Sequence, residues 1–329
     1  MELIAPYRGE LAALLAAAFW AIASVIYGQA GLSLPPLMIN VIKNTVAIVL
    51  FCATLLGQRW LTTQLVVSID SQVTLIPVLL LMLSGVIGIA IGDTAYLNTL
   101  NYLGARRALL LEVLAPPLAA IIAWIALGEV LSVTAWVGIG LILTGVAWVM
   151  TERAPVAATV GKIQLWRGLC FGLVAELSQA IGAVISRLAL TEMNMPPLLS
   201  GLIRIAAATG FIGLIVGGRW LQTWLQTGQR RLSLPPHSRA QPNDPPAAPL
   251  PTSPTDSPER AAIYRAVGIV AIAAIFGTYF CIWLQQISLK FAPTGIAQAL
   301  SATSPIFALP IVAVLGENVS LRAIAGVLV

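Results

Sequence analysis

Four ionisable side chains stand well inside long apolar stretches of this sequence: Lys43, Glu112, Glu176 and Arg204. Asp93 is a fifth, nearer the end of its stretch. In a bilayer such charges are expensive, and they are kept where they face a protein interior or a water-filled cavity. Helical spacing widens two of these positions into polar patches: Asn40 and Asn44 share a face with Lys43, and Gln179 shares one with Glu176. Such patches would hold a polar ligand or a coupling proton. The competing reading is internal pairing, for example Lys43 with a carboxylate, that serves only to fix helix packing.

Other chemistries find little support in the residues. The one histidine, His237, lies in a proline-rich stretch, and the three cysteines, Cys52, Cys170 and Cys281, fall singly in apolar segments. No zinc or metalloprotease spacing is present. Asp93 is the only aspartate in a span, so a paired-aspartate site has no partner, and no glycine-rich phosphate loop occurs. An enzyme is not expected, nor a cofactor, a metal site or a nucleic-acid partner. The cysteines read as small buried apolar residues rather than disulfides.

The elements that must position these residues follow from composition. The chain is 58% hydrophobic and 9% charged, against about 25% charged in soluble domains. Apolar runs of about 18 residues or more read as transmembrane helices. Nine spans are expected, at about 10–30, 37–56, 75–97, 105–127, 131–150, 166–190, 198–216, 264–287 and 293–315. The first, starting near Leu11, reads as a retained helix rather than a cleaved leader. A tenth segment begins after Ser320 and meets Val329 before it could cross, so it is expected to be incomplete, the end of a fragment. Nine prolines crowd the stretch from Gly228 to Arg260, which has little to bury and is expected to be a disordered tether.

The chain repeats itself. Gly88–Gly138 lies without a gap on Phe276–Gly326, matching Pro117 to Pro305 and Gly128-Glu129 to Gly316-Glu317. The same three-residue beat follows in both, Ser132, Ala135, Gly138 and Ser320, Ala323, Gly326. Earlier in each half, Arg8-Gly9 answers Arg167-Gly168, Pro35-Pro36-Leu37 answers Pro196-Pro197-Leu198, and Ile42-Lys43 answers Ile203-Arg204. The organisation is therefore a first repeat at 1–153, a link at 154–165, and a second repeat at 166–329 that carries the tether.

Two five-helix copies, each with a proline inside its fourth helix and Gly-Glu at that helix's end, resemble the EamA-type repeat of the drug/metabolite transporter superfamily. The resemblance implies a ten-helix basket in which helices 1–4 and 6–9 surround a substrate cavity while helices 5 and 10 brace it, and it implies export or import of small metabolites. Arg204 matches the arginine common early in the family's second helix, where Lys43 departs from it. Ser301, Thr303 and Ser304 match the small hydroxyl residues that precede the fourth-helix proline, where Glu112 departs.

Transport also has a physical argument of its own. Five is an odd number, so the second copy must enter the membrane inverted, and inverted repeats support alternating access. Helices kinked at matching places, at Pro117 and Pro305, point to a site near the midplane. Lys43 and Arg204 then face each other across it, whereas Glu176 and Glu112 answer to Ala17 and Leu300 and would serve the substrate or a proton. The expectation is an all-α polytopic protein of the plasma (inner) membrane, more readily a monomer than a dimer. Its function is read as secondary transport, or alternatively as a non-transporting receptor or assembly protein.

Among the aromatics, Phe19, Trp20, Tyr27 and Trp124 are the candidates to line the cavity, Trp20 foremost. Arg187 and Lys290 sit near helix ends and would snorkel. Gly88/Gly92, Gly168/Gly172 and Gly213/Gly217 would pack helices internally. Orientation has two answers. The arginine excess in the loops at 104–107, 151–167 and 219–265 places the tether in the cytoplasm and the N-terminus outside, while the family resemblance implies a cytoplasmic N-terminus.

Overall fold

The computed structural model describes residues 7–30, 34–61, 74–150, 162–232 and 258–308. His237 and most of the tether, the 154–161 part of the link, and the chain from 309 onward, including Pro310, Glu317 and the tenth segment, lie outside these. The described residues contain helices and no strand. Six helices are long and apolar enough to cross a membrane, spanning Arg8–Ala30, Pro36–Gln58, Leu75–Leu103, Ile163–Thr191, Pro197–Gly218 and Ala262–Phe291.

The first half contains α1 (Arg8–Ala30), α2 (Pro36–Leu61) and a run from Leu75 to Leu103. That run comprises α3 (Leu75–Gly85), a π-helical stretch π1 (Val86–Asp93) and α4 (Thr94–Leu103). Gly104, at φ +78°, ends it. The next span is split into α5 (Ala105–Glu112) and α6 (Ala115–Leu127). Pro116 and Pro117 have no N–H for the carbonyls of Glu112 and Val113, so the helical ladder stops and restarts there. Gly128, at φ +66°, turns left-handed after α6, and its N–H and that of Glu129 return to Trp124 and Ala123. The side chain of Ser132 then accepts the N–H of Ala135 and caps α7 (Val133–Met150).

The second half repeats this plan with α8 (Lys162–Thr191), α9 (Pro197–Leu232) and a run from Pro258 to Phe291. That run comprises α10 (Pro258–Ala274), π2 (Ile275–Phe280) and α11 (Cys281–Phe291), and α12 (Thr294–Ser301) follows. The two π stretches occupy corresponding parts of the repeat, since 86–93 answers 274–281. The breaks at Val113–Leu114 and Ala302–Thr303 fall within one residue of correspondence. Both irregularities are therefore features of the repeat unit, and π turns concentrate at functional sites.

Several expectations are corrected. Helix α9 runs on to Leu232 and α10 starts at Pro258, so both margins of the expected disordered stretch are helical. The chain from 213 to 217 is helical and apolar, but among the described residues a side chain at Gly213 or Gly217 would meet nothing within 4 Å, so that pair packs none of the described helices. Cys170 is exposed, and Cys52 and Cys281 are only partly buried; all three thiols are free. Trp124 is 59% exposed and points away from the interior.

The close helix contacts are made by other glycines. Gly88 and Gly92 pack against α8 at Gly182 and Ser178, while Gly168 and Gly172 meet Leu103 and Leu111. In lipid, where apolar surface alone gives little drive to associate, such small-residue contacts let backbones approach. Large apolar side chains such as Leu214, Ile125 and Val133 face outward.

Candidate functional site

The helices converge on a cavity lined from both halves of the chain. It offers about 90 Å³ to the centres of water-sized molecules, where one water needs about 10–15 Å³. The first half contributes Trp20 from α1, Lys43 from α2, Gly88 and Asp93 from π1, Tyr96 from α4 and Glu112 from α5. From the second half come Glu176 and Gln179 on α8, Arg204 on α9, Cys281 and Gln285 on α11, and Gln298 and Ser301 on α12.

The polar groups of the first half are tied together. Lys43 Nζ donates to Asp93 Oδ2 at 2.5 Å and to Asn44 Oδ1 at 3.3 Å. Asn44 donates to Asn40 Oδ1, and Asn40 in turn donates to the Ile89 carbonyl and to Thr94 Oγ1. Asn40 and Asn44 thus stand behind the cavity and hold π1 against α2 rather than lining the space. A π stretch leaves a carbonyl short of its helical partner, and Asn40 supplies one.

Glu112 joins three elements. Trp20 Nε1 donates to its Oε1 at 2.8 Å and Ser304 Oγ donates to its Oε2 at 2.8 Å. The carboxyl at the first repeat's helix break is therefore bonded to the helix break of the second repeat and to α1. Pro117 and Pro305 do not touch the cavity; their effect is to end the helical ladders beside Glu112 and Ser301.

The second half is tied less tightly at the cavity. Arg204 is 1% exposed, and its Nε and Nη1 are buried without a hydrogen-bond partner. Glu176 is 4% exposed and forms no hydrogen bond or ion pair among the described residues. A Cβ on Gly88 would lie 3.2 Å from Arg204 Nη2 and 3.5 Å from Gln179 Oε1, so the bare glycine keeps space beside both groups.

All four central charges read from the sequence, together with Trp20, Gln179 and Asp93, are thus brought to one cavity. Four other expectations fail. Tyr27 is buried away from it, bonded to Thr278 of π2, and Phe19 stacks on Phe280 at 5.7 Å. Arg187 does not snorkel: its Nε donates to Glu129 at 2.7 Å, and its Nη1 donates to the carbonyls of Leu289 and Lys290. Lys290 is likewise held, by Asn194 and the Met195 carbonyl. Residue type marks neither Tyr96, Gln285 nor Gln298 as a site residue, and it reads Cys281 only as a small buried one; the signal that finds Cys281 is the repeat correspondence that sets it against Asp93, and Tyr96 lies one turn beyond Asp93.

Fold and site together define a polytopic helical membrane protein built from two copies of one unit. The EamA-like transporter family model matches residues 7–151 and 247–329, and the chain belongs to that family. No match among curated proteins reaches significance. Twenty chains of solved structures match significantly. One of them, titled "Crystal structure of protein", is similar over 97% of this chain and 92% of its own length, with a TM-score of 0.63 and 17% identity. At that identity the likeness is one of fold.

Proposed function

We propose that this chain is a secondary transporter that carries small metabolites by alternating access, with ten segments arranged as two inverted five-helix repeats. The observation that carries this reading is the cavity itself. It sits where the two repeats meet, takes charged side chains from both, and adjoins the matched helix breaks at Val113–Leu114 and Ala302–Thr303. Interrupted helices around a polar site are what a rocking pair of repeats requires, because irregular backbone at membrane depth is tolerated where it lines a cavity.

In this reading Arg204, Glu176, Gln179 and Trp20 contact substrate, Lys43 and Asp93 support the wall opposite, and Asn40 and Asn44 orient Lys43. Glu176 or Glu112 carries the coupling proton. The chain acts as a monomer in the plasma (inner) membrane. The charge bias of the loops favours a cytoplasmic tether and an external N-terminus, which a cysteine placed at position 245 tests: labelling by an impermeant reagent in intact cells would overturn it.

The functional test is uptake of a metabolite panel into proteoliposomes, with and without an imposed pH gradient. Some panel member should accumulate, and Glu176→Gln should abolish gradient-driven uptake while the protein remains folded. Binding without any flux would instead make the protein a receptor. Normal transport by the variant would reduce Glu176 to a packing residue.

A further inference from the structure

Two lines of polar side chains lead out of the cavity, and both belong to the second repeat. On α11, Cys281, Gln285 and Ser288 follow at i, i+4 and i+7, and on α12 Thr294, Gln298 and Ser301 keep the same spacing, so each set shares one helical face. Cys281, Gln285, Gln298 and Ser301 line the cavity. Ser288 and Thr294 lie about 10 Å further along their helices, counted from Cys281 and Ser301. That end is fastened from two sides: Arg187 holds the carbonyls of Leu289 and Lys290, and Glu129 holds the N–H of Thr294. The first repeat has no such lines. At the equivalent positions, Gln285, Ser288, Gln298 and Ser301 are answered by Leu97, Leu100, Leu110 and Val113. Leu97 and Leu100 belong to a buried apolar cluster with Ala108 and Ala175.

The hydroxyls at the far end set these lines apart from ordinary packing. A serine or threonine in a helix can return its hydroxyl to the carbonyl four residues back, as Thr99, Thr209 and Ser301 do. Ser288 and Thr294 are fully buried, and their hydroxyls have no hydrogen-bond partner among the described residues. A buried hydroxyl left unpaired costs stability. Packing alone would be served by a leucine, as at Leu100. Where polar groups line a path to a wet cavity, water is what satisfies them.

Building on the transporter reading, we infer that the polar faces of α11 and α12 line a water-filled route from the cavity to the face of the molecule fastened by Arg187 and Glu129, with Ser288 and Thr294 as the groups that hold water in it. The fastening closes the route in this conformation. The first repeat carries leucines where the second carries these polar groups, so the route is one-sided.

Cysteine labelling tests this on the full chain in lipid nanodiscs, with Cys52, Cys170 and Cys281 replaced by serine. Ser288→Cys and Thr294→Cys each place one thiol on the route, and Leu100→Cys places one at the position in the first repeat that answers Ser288. The probe is a small, charged methanethiosulfonate. Adding Glu129→Ala, which frees both Arg187 and the start of α12, should speed modification at 288 and 294 by at least about tenfold, a shift of about 1.4 kcal/mol in the opening equilibrium. It should leave Leu100→Cys unchanged. Equal rates at 288 and 100, or no acceleration by Glu129→Ala, overturns the inference. A second variant needs no label: Ser288→Ala with Thr294→Val removes both hydroxyls. It should unfold no earlier than wild type yet take up the transported solute several-fold more slowly. Unchanged uptake, or earlier unfolding, makes the hydroxyls packing groups and overturns the inference. Accelerated labelling at 288 and 294 without flux of any solute upholds the route and removes the transporter reading. Flux without that acceleration does the reverse.

Discussion

Lys43 and Asp93 form an ion pair at 2.5 Å that joins α2 to the end of π1, with side chains 2% and 15% exposed. Two helices that the bilayer alone would hold loosely are thereby fixed in register, and Lys43 is removed from the roster of groups available to a ligand. Breaking one side of a buried pair leaves an uncompensated charge, which costs about 3–5 kcal/mol. Asp93→Asn and Lys43→Met should each destabilise the protein on that scale, while the double variant should lose much less than the sum. SDS-titrated unfolding of the three variants measures this. Additive losses would show that the two residues act apart.

Glu112 is the second tie. Its two oxygens accept from Trp20 and Ser304, which lie on α1 and at the helix break of the other repeat. Glutamine can keep both bonds, accepting from Trp20 and donating to Ser304, whereas alanine keeps neither. A buried hydrogen bond to a charged group is worth about 1.5–3 kcal/mol. Glu112→Ala should therefore unfold markedly earlier than wild type and Glu112→Gln should stay close to it. If Glu112→Gln loses gradient-driven uptake while Glu176→Gln keeps it, the proton is on Glu112 rather than on Glu176.

How much of this was legible beforehand depends on the range of the interaction. A charge in an apolar run announces itself by residue type, which is why Lys43, Glu112, Glu176 and Arg204 were visible and do meet at one cavity. Pairing is not local. Glu112 and Ser304 are brought together by the crossing of two repeats, and no spacing along the chain encodes it. Arg187 misled for the same reason, since an arginine near a helix end looks like a headgroup anchor until its partner Glu129 arrives from the other half. The π stretches left no sign in an apolar pattern whose period they alter only locally. Helix α9 outran its expected end because the reading stopped where hydropathy fell, while its backbone continued to Leu232.

The Arg187–Glu129 contact predicts a latch. Glu129 accepts from Arg187 and also from the N–H of Thr294 at the start of α12, and Arg187 holds the carbonyls that end α11. The first half's Gly-Glu turn is thereby clamped to three helix ends of the second half, on the face of the molecule where α6, α8 and α11 terminate. Any opening of that face must break the clamp. Glu129→Ala and Arg187→Ala should each change the uptake rate, and should do so non-additively in a double-mutant cycle. A reagent that reaches Cys281, with Cys52 and Cys170 replaced by serine, should modify it faster in both variants. Unchanged labelling would mean that the clamp does not gate the cavity.

The sharpest packing test is at Gly85. A Cβ there would run into the backbone carbonyl of Arg204, so α3 and α9 approach closely at the very residue proposed to seat the ligand. By intrinsic propensity alone, Gly→Ala inside a helix should gain about 1 kcal/mol. Here the neighbour is backbone and cannot swing aside, so the helices must part, and overpacking of this kind costs about 1–3 kcal/mol. Displacing α9 also carries Arg204 away from Gly88 and Gln179. Gly85→Ala should therefore lower both stability and ligand binding. Gly213→Ala, on the same α9 but with nothing among the described residues within 4 Å of its added carbon, should leave binding intact and be neutral or stabilising. Parallel unfolding and binding measurements on the two variants decide the matter. If Gly85→Ala behaves like Gly213→Ala, then α3 and α9 are not in contact at Arg204, and the geometry of the seat falls with that contact.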